Sequence, residues 1–95
     1  MKLELGRVVI TAGANNLVAE DTDFAKHVVR SFSRYRAHDW GDLCAEDRVM
    51  NDKALASGED RIFAAYEYPN RPEWKIWIIT EWDRSATTIL FPSEY

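Results

Sequence analysis

Two histidines, His27 and His38, are the only side chains whose ordinary pKa lies near neutrality, so they are the first candidates for a general acid or base. His27 borders an apolar helical stripe, one residue before Val28, which favours a structural imidazole over a catalytic one. His38 opens the polar segment His38-Asp39-Trp40-Gly41-Asp42, and nothing in the sequence fixes a partner for it.

Phosphate chemistry has a different candidate. Lys26, Arg30 and Arg34 recur every four residues, which places them on one ridge of a helix as possible phosphate contacts. The plainer reading is a solvated face, paired in part with the acidic segment that follows. That segment, Ala37 to Asp60, holds seven acids against Arg48 and Lys53, a net of −5.

Two further places gather groups suited to binding. The first is Asp39, Trp40 and Asp42 around Gly41. An indole in a polar turn either anchors the loop in the core or serves as a partner hot spot, and the anchor is the simpler reading. The second is Glu81, Trp82, Arg84, Ser85 and Thr88 around a hairpin. Arginine and hydroxyls on adjacent strands suit a phosphate or carboxylate. Ordinary turn chemistry accounts for the same residues, with Asp83 and Ser85 satisfying backbone groups and Arg84 pairing with Glu81 or Asp83.

No Gly-rich phosphate loop, nucleophile elbow or helix-borne metal motif occurs in the chain. Cys44 is the single cysteine, so no intramolecular disulfide or multi-thiolate site can form, and it reads as a small apolar residue. These absences lead us to expect no metal, no cofactor and no catalytic set.

The elements that must position these groups follow from periodicity. Leu3 to Ile10 alternates as a strand, and Ala14 to Glu20 suits a short helix. Phe24, Val28, Phe32 and Tyr35 form the stripe of a helix over Phe24–Tyr35, with Thr22 or Asp23 as its N-cap. Asp42 is suited to cap another helix over Leu43–Ser57, which has a thin stripe of Leu43, Met50 and Ala54 and a stop at Gly58. Strands follow over Arg61–Tyr68, Trp74–Trp82 and Ala86–Phe91, separated by Pro69-Asn70-Arg71-Pro72 and Asp83-Arg84-Ser85. Trp74 to Trp82 is apolar on both faces, as a central strand covered at least partly on both sides would be. The expected fold is α+β, in the order β-α-α-α-β-β-β. It has a C-terminal antiparallel meander, helices packed on one face, and an unplaced first strand.

Ninety-five residues fit one domain spanning 1–95. The net charge of −4 does not favour general nucleic-acid binding. No apolar run reaches the roughly 18 residues of a membrane span, and the N-terminus lacks a signal-peptide pattern. A cytoplasmic protein without a membrane partner is the default expectation, as monomer or homodimer.

Asp39-Trp40-Gly41-Asp42, Glu46-Asp47, Asn51, Ile76-Trp77-Ile78-Ile79-Thr80-Glu81 and the ending Asp83 to Tyr95, with the opening Met1 to Arg7, together resemble a family of short bacterial proteins. Its members are commonly labelled plasmid-related, some of them as restriction-system subunits, and the family has no established activity. The resemblance spans nearly the whole chain. The chain departs from the family pattern at Tyr35, where members carry His, at His38, where they carry Gly, and at Trp82, where they carry Ala. A catalytic role for either histidine is weakened accordingly.

Two readings of function are weighed, the first preferred and the second its alternative. One is a non-catalytic accessory module of plasmid, phage or mobile-element biology, acting by protein–protein contact, an anti-defence role being one form. The other is a small metal-independent ribonuclease, by analogy of element order with the barnase, colicin and RelE-like group, using Arg30, His38, Arg84, Ser85 and Thr88.

Overall fold

The computed structural model describes residues 3–95. The elements run β1 (Arg7–Ile10), α1 (Ala12–Glu20), α2 (Thr22–Arg36), α3 (Ala45–Ser57), β2 (Ile62–Tyr66), β3 (Ile76–Thr80) and β4 (Ala86–Leu90). Short 3₁₀ turns occupy Pro72–Trp74 and Pro92–Glu94. The fold is α+β in the expected order. Among the described residues, no helix is long and apolar enough to cross a membrane.

The four strands form one sheet in the order β1-β4-β3-β2. β2, β3 and β4 make the antiparallel meander. β1, which the sequence left unplaced, lies at the edge and runs parallel to β4, with Val8 opposite Thr87 and Ile10 opposite Ile89. The first strand is shorter than the alternation from Leu3 suggests. Gly6 adopts φ +61°, and a Cβ there would collide with the backbone carbonyls of Arg84 and Ser85, so the chain kinks before the ladder begins.

The sheet has two different faces. Ile62, Ala64, Tyr66, Ile76, Ile78 and Ile89 are buried on the face that receives Phe24, Val28 and Tyr35 of α2. Phe24, Tyr35, Tyr66, Ile62, Ile76 and Ile78 are wholly inaccessible and form the centre of the core. At roughly 1.5–3 kcal/mol per large apolar side chain, this cluster is the main source of stability. The opposite face receives no helix. It carries Phe63, Trp77, Ile79, Thr88, Leu90 and Val9, and is reached by the C-terminal 3₁₀ turn, by Tyr95 and, at the β2 edge, by Met50 of α3 beside Phe63.

Capping differs from expectation at both longer helices. Asp21 caps α2, its carboxylate accepting from the amides of Asp23 and Phe24 at 2.9 and 3.1 Å. Cys44, which is exposed, occupies the N-cap of α3 without a side-chain bond, and Asp42 lies outside the helix altogether. The inward residues of α3 are Asn51 and Ala54, whereas Met50 is 60% exposed. Gly58 ends α3 in the left-handed conformation, as expected.

A line of hydroxyls threads the core. Thr87 Oγ1 donates to the Leu5 carbonyl at 2.7 Å, so its single proton is spent there. Thr80 must then donate to Thr87 at 2.8 Å, and Tyr35 to Thr80 at 2.6 Å. The chain ties α2 through β3 and β4 to the segment before β1. Burial pushes the Tyr35 phenol up to about 12, so it stays a donor.

Candidate functional site

The turn from Asp39 to Asp42 is positioned from several directions. Arg34 of α2 grips Asp39 with two bonds, Nε to Oδ2 at 2.7 Å and Nη2 to Oδ1 at 3.2 Å. That bond, slightly opposed by burial, holds the Asp39 carboxyl below the usual carboxylate range. Tyr66 donates its hydroxyl to the Asp39 carbonyl at 2.7 Å, and the Gly41 amide donates to Asp39 Oδ1 at 3.1 Å. Gly41 has φ +76°, and a Cβ would strike the Ala65 carbonyl and the Tyr66 ring. The close approach lets the Asp42 amide donate to Ala65 O at 2.7 Å, while the Asp42 carboxylate accepts from the Glu67 amide at 2.9 Å.

Trp40 is 2% exposed. Its indole N–H donates to Asp52 at 2.9 Å, His38 stacks on it at 5.7 Å and 18°, and Tyr35 meets it edge-on at 5.4 Å. The turn therefore anchors into the core and covers the outer edge of β2. Nearby, the Asn51 side chain completes that cover, its amide donating to Phe63 O at 2.6 Å and its oxygen accepting from Phe63 N at 3.2 Å.

The hairpin after β3 is likewise held from within. Arg84 sits at φ +61°. Its Nη1 donates to the carbonyls of Asp60, Glu81 and Trp82 at 2.6, 3.2 and 3.3 Å, and its Nη2 to Ala54 O at 2.9 Å. The guanidinium thus closes the C-terminal end of α3 and locks the turn, using carbonyls instead of the expected Glu81 or Asp83 carboxylate. The Ser85 amide donates to Asp83 at 3.0 Å, as turn chemistry predicts. Trp82 is 64% exposed. Thr88 lies on the helix-free face of the sheet, beside Ile79.

On α2, Lys26 and Arg30 are exposed and flank Val29, which is 68% exposed. Among the described residues, Arg34 is the one ridge residue that forms an ion pair, and its partner is Asp39, not α3. A cleft of about 420 Å³ beside the ridge is lined by His27, Arg30, Arg34, Asp42 and Glu67. His27 is 5% exposed and donates Nε2–H to the Trp74 carbonyl at 3.1 Å. Burial lowers its pKa, against the opposing pull of the Trp74 and Tyr66 carbonyls.

The five residues of the ribonuclease reading are distributed over four places. Arg30 stands on α2, His38 against Trp40, Arg84 and Ser85 in the β3–β4 turn, and Thr88 on the sheet. No three His, Cys, Asp or Glu side chains among the described residues converge as metal ligands would.

A partly open apolar surface that the motif reading passed over is the helix-free face of the sheet, where Phe63 and Trp77 are half-buried and Ile79 and Leu90 buried. Phe63 and Trp77 meet edge-to-face at 4.9 Å, and Tyr95 meets Trp77 at 5.6 Å. Arg61 steadies Tyr95 by donating to its hydroxyl at 2.6 Å. A hollow of about 270 Å³ opens over Ile79, Thr88 and Leu90. A second, of about 490 Å³, continues past Phe63 to Met50, with Asp47 and Asp60 on its rim. The apolar residues on both faces of β3 were the signal for this surface, since one face alone would suffice to meet the helices.

No protein family, no curated protein and no solved structure matches the chain.

Proposed function

We propose that this protein is a non-catalytic binding module that docks a protein partner on the helix-free face of its sheet. The observation that carries the reading is the aromatic band Phe63–Trp77–Tyr95, half-buried at Phe63 and Trp77 and exposed at Tyr95, on the sheet face opposite α2. A partly open aromatic surface on one sheet face suits a protein contact. Aromatic side chains also give large contact area at low entropic cost.

The rim chemistry narrows the partner. Asp47 and Asp60 border the hollow at Phe63, Glu81 and Glu94 border the one at Ile79, and Arg61, bonded to Tyr95, is the one cation among the described residues on both rims, so the rims are acidic on balance. An apolar protein surface with basic flanks complements both. The resemblance to plasmid-related proteins directs the same reading toward mobile-element biology, with an anti-defence accessory as one form.

Affinity capture from the native host tests the reading. The wild type and Val29→Lys, altered on the far side of α2, retain the partner, whereas Trp77→Lys loses it. Equal capture by all three, or no partner for any, contradicts it.

A further inference from the structure

The two edges of the sheet are treated differently. On β2, the outward backbone groups are taken by Asn51, by the Asp42 amide and by the Asp42 carboxylate. On β1, the Arg7 and Thr11 amides donate inward to Ser85 and Ile89 at 3.0 Å each. By strand alternation, the N–H and C=O of Val8 and Ile10 point outward. No described residue bonds to those groups, and Val8 and Val9 are 46% and 36% exposed. β1 is only four residues long and carries Arg7, but no proline or bulge interrupts its edge.

We propose that two copies of this chain pair through β1 as antiparallel neighbours about a two-fold axis, joining their sheets into one. The register follows from the strand itself. An antiparallel ladder needs outward residues opposite outward residues. Pairing Val8 with Ile10 of the second copy uses both outward residues of each strand. The two neighbouring symmetric registers would set Ile10 against Gly6, whose φ of +61° is not extended, or Val8 against Ala12, the first residue of α1.

Charge complementarity supports this register. It places Val9 against Val9 of the second copy and Arg7 against Thr11 of the second copy, all on the helix-free face. Both are non-hydrogen-bonded positions, where side chains approach most closely. Thr11 is itself extended, at φ −66° and ψ 157°. Its hydroxyl donates to Glu94 at 2.6 Å, which fixes a carboxylate beside it. Arg7 is exposed and makes no side-chain bond among the described residues. Each Arg7 therefore meets a Glu94 already held in place by the other copy. The pairing does not depend on the docking role of the sheet face, because a monomer presents that face equally well.

Sedimentation velocity from about 1 μM to about 1 mM, spanning ordinary weak-dimer affinities, tests the pairing. The wild type passes from one-chain to two-chain mass, and the Val8 and Ile10 amides become protected from hydrogen exchange in step. Val8→Pro removes an N–H that the monomer does not use, at an edge position where proline is tolerated, and stays monomeric throughout. Arg7→Glu sets like charges together and weakens the dimer about fivefold. A wild type that stays monomeric overturns the proposal, even if it captures an extended peptide at β1. So does a Val8→Pro variant that dimerises as the wild type does. If Val8→Pro fails to fold, Arg7→Glu decides, and unchanged affinity there contradicts the register.

Discussion

Trp40 shows how one residue can carry two opposed readings in a sequence and one in a structure. With its indole 2% exposed, hydrogen-bonded to Asp52 and packed on His38 and Tyr35, it is a structural anchor. Trp40→Ala should cost about 3–5 kcal/mol, measured by urea unfolding, as large-to-small changes at buried aromatics do. A loss below about 1 kcal/mol would contradict that role. His27 makes a second prediction, through pH. Its folded pKa lies below the ordinary 6.5, so the fold prefers the neutral ring. The associated stability is complete above the unfolded value and is lost as pH falls from about 6.5 through the folded pKa. The melting temperature should therefore drop between pH 7 and 5, and His27→Gln should flatten that part of the profile. An equal slope in both proteins would reassign the effect. The anchor role of Trp40 was legible from its place in a Gly-containing turn. Arg84 was not, because Ala54 and Asp60, whose carbonyls it binds, lie far off in sequence and a guanidinium shows no local preference for them.

At the scale of elements, protection of the β2 edge falls chiefly to Asn51 and the Asp39–Asp42 turn. Asn51 is 5% exposed and satisfies both backbone groups of Phe63. Asn51→Ala strands those groups and should destabilise the fold by about 2–3 kcal/mol in chemical denaturation. It should also raise aggregation on warming, read by light scattering, since a bared edge pairs with other chains. A variant as stable and soluble as wild type would show that another group covers the edge. Element order and the central place of β3 could be read from the sequence, because alternation and turn residues are local signals. The station of β1 could not. Its parallel pairing with β4 closes across three helices and two strands and leaves no turn motif behind. The N-cap of α3 misled for a related reason: Asp42 has capping chemistry, but the β2 edge claims its carboxylate first.

The whole molecule is built around one asymmetry. α2 covers one side of the sheet, α3 runs along the β2 edge, and the other side keeps a partly open aromatic band with Asp47, Asp60, Arg61 and Glu81 around it. Charge is divided between helices, with exposed Lys26 and Arg30 on α2 and Glu46 and Asp47 in the first turn of α3. The docking role assigned to the open face depends on what touches Trp77 in the cell. A photo-crosslinking side chain placed at position 77, and separately at position 29, reads this directly in the native host. The account predicts one discrete protein adduct from position 77 and none from position 29. An adduct from position 29 alone, or from neither, would contradict it.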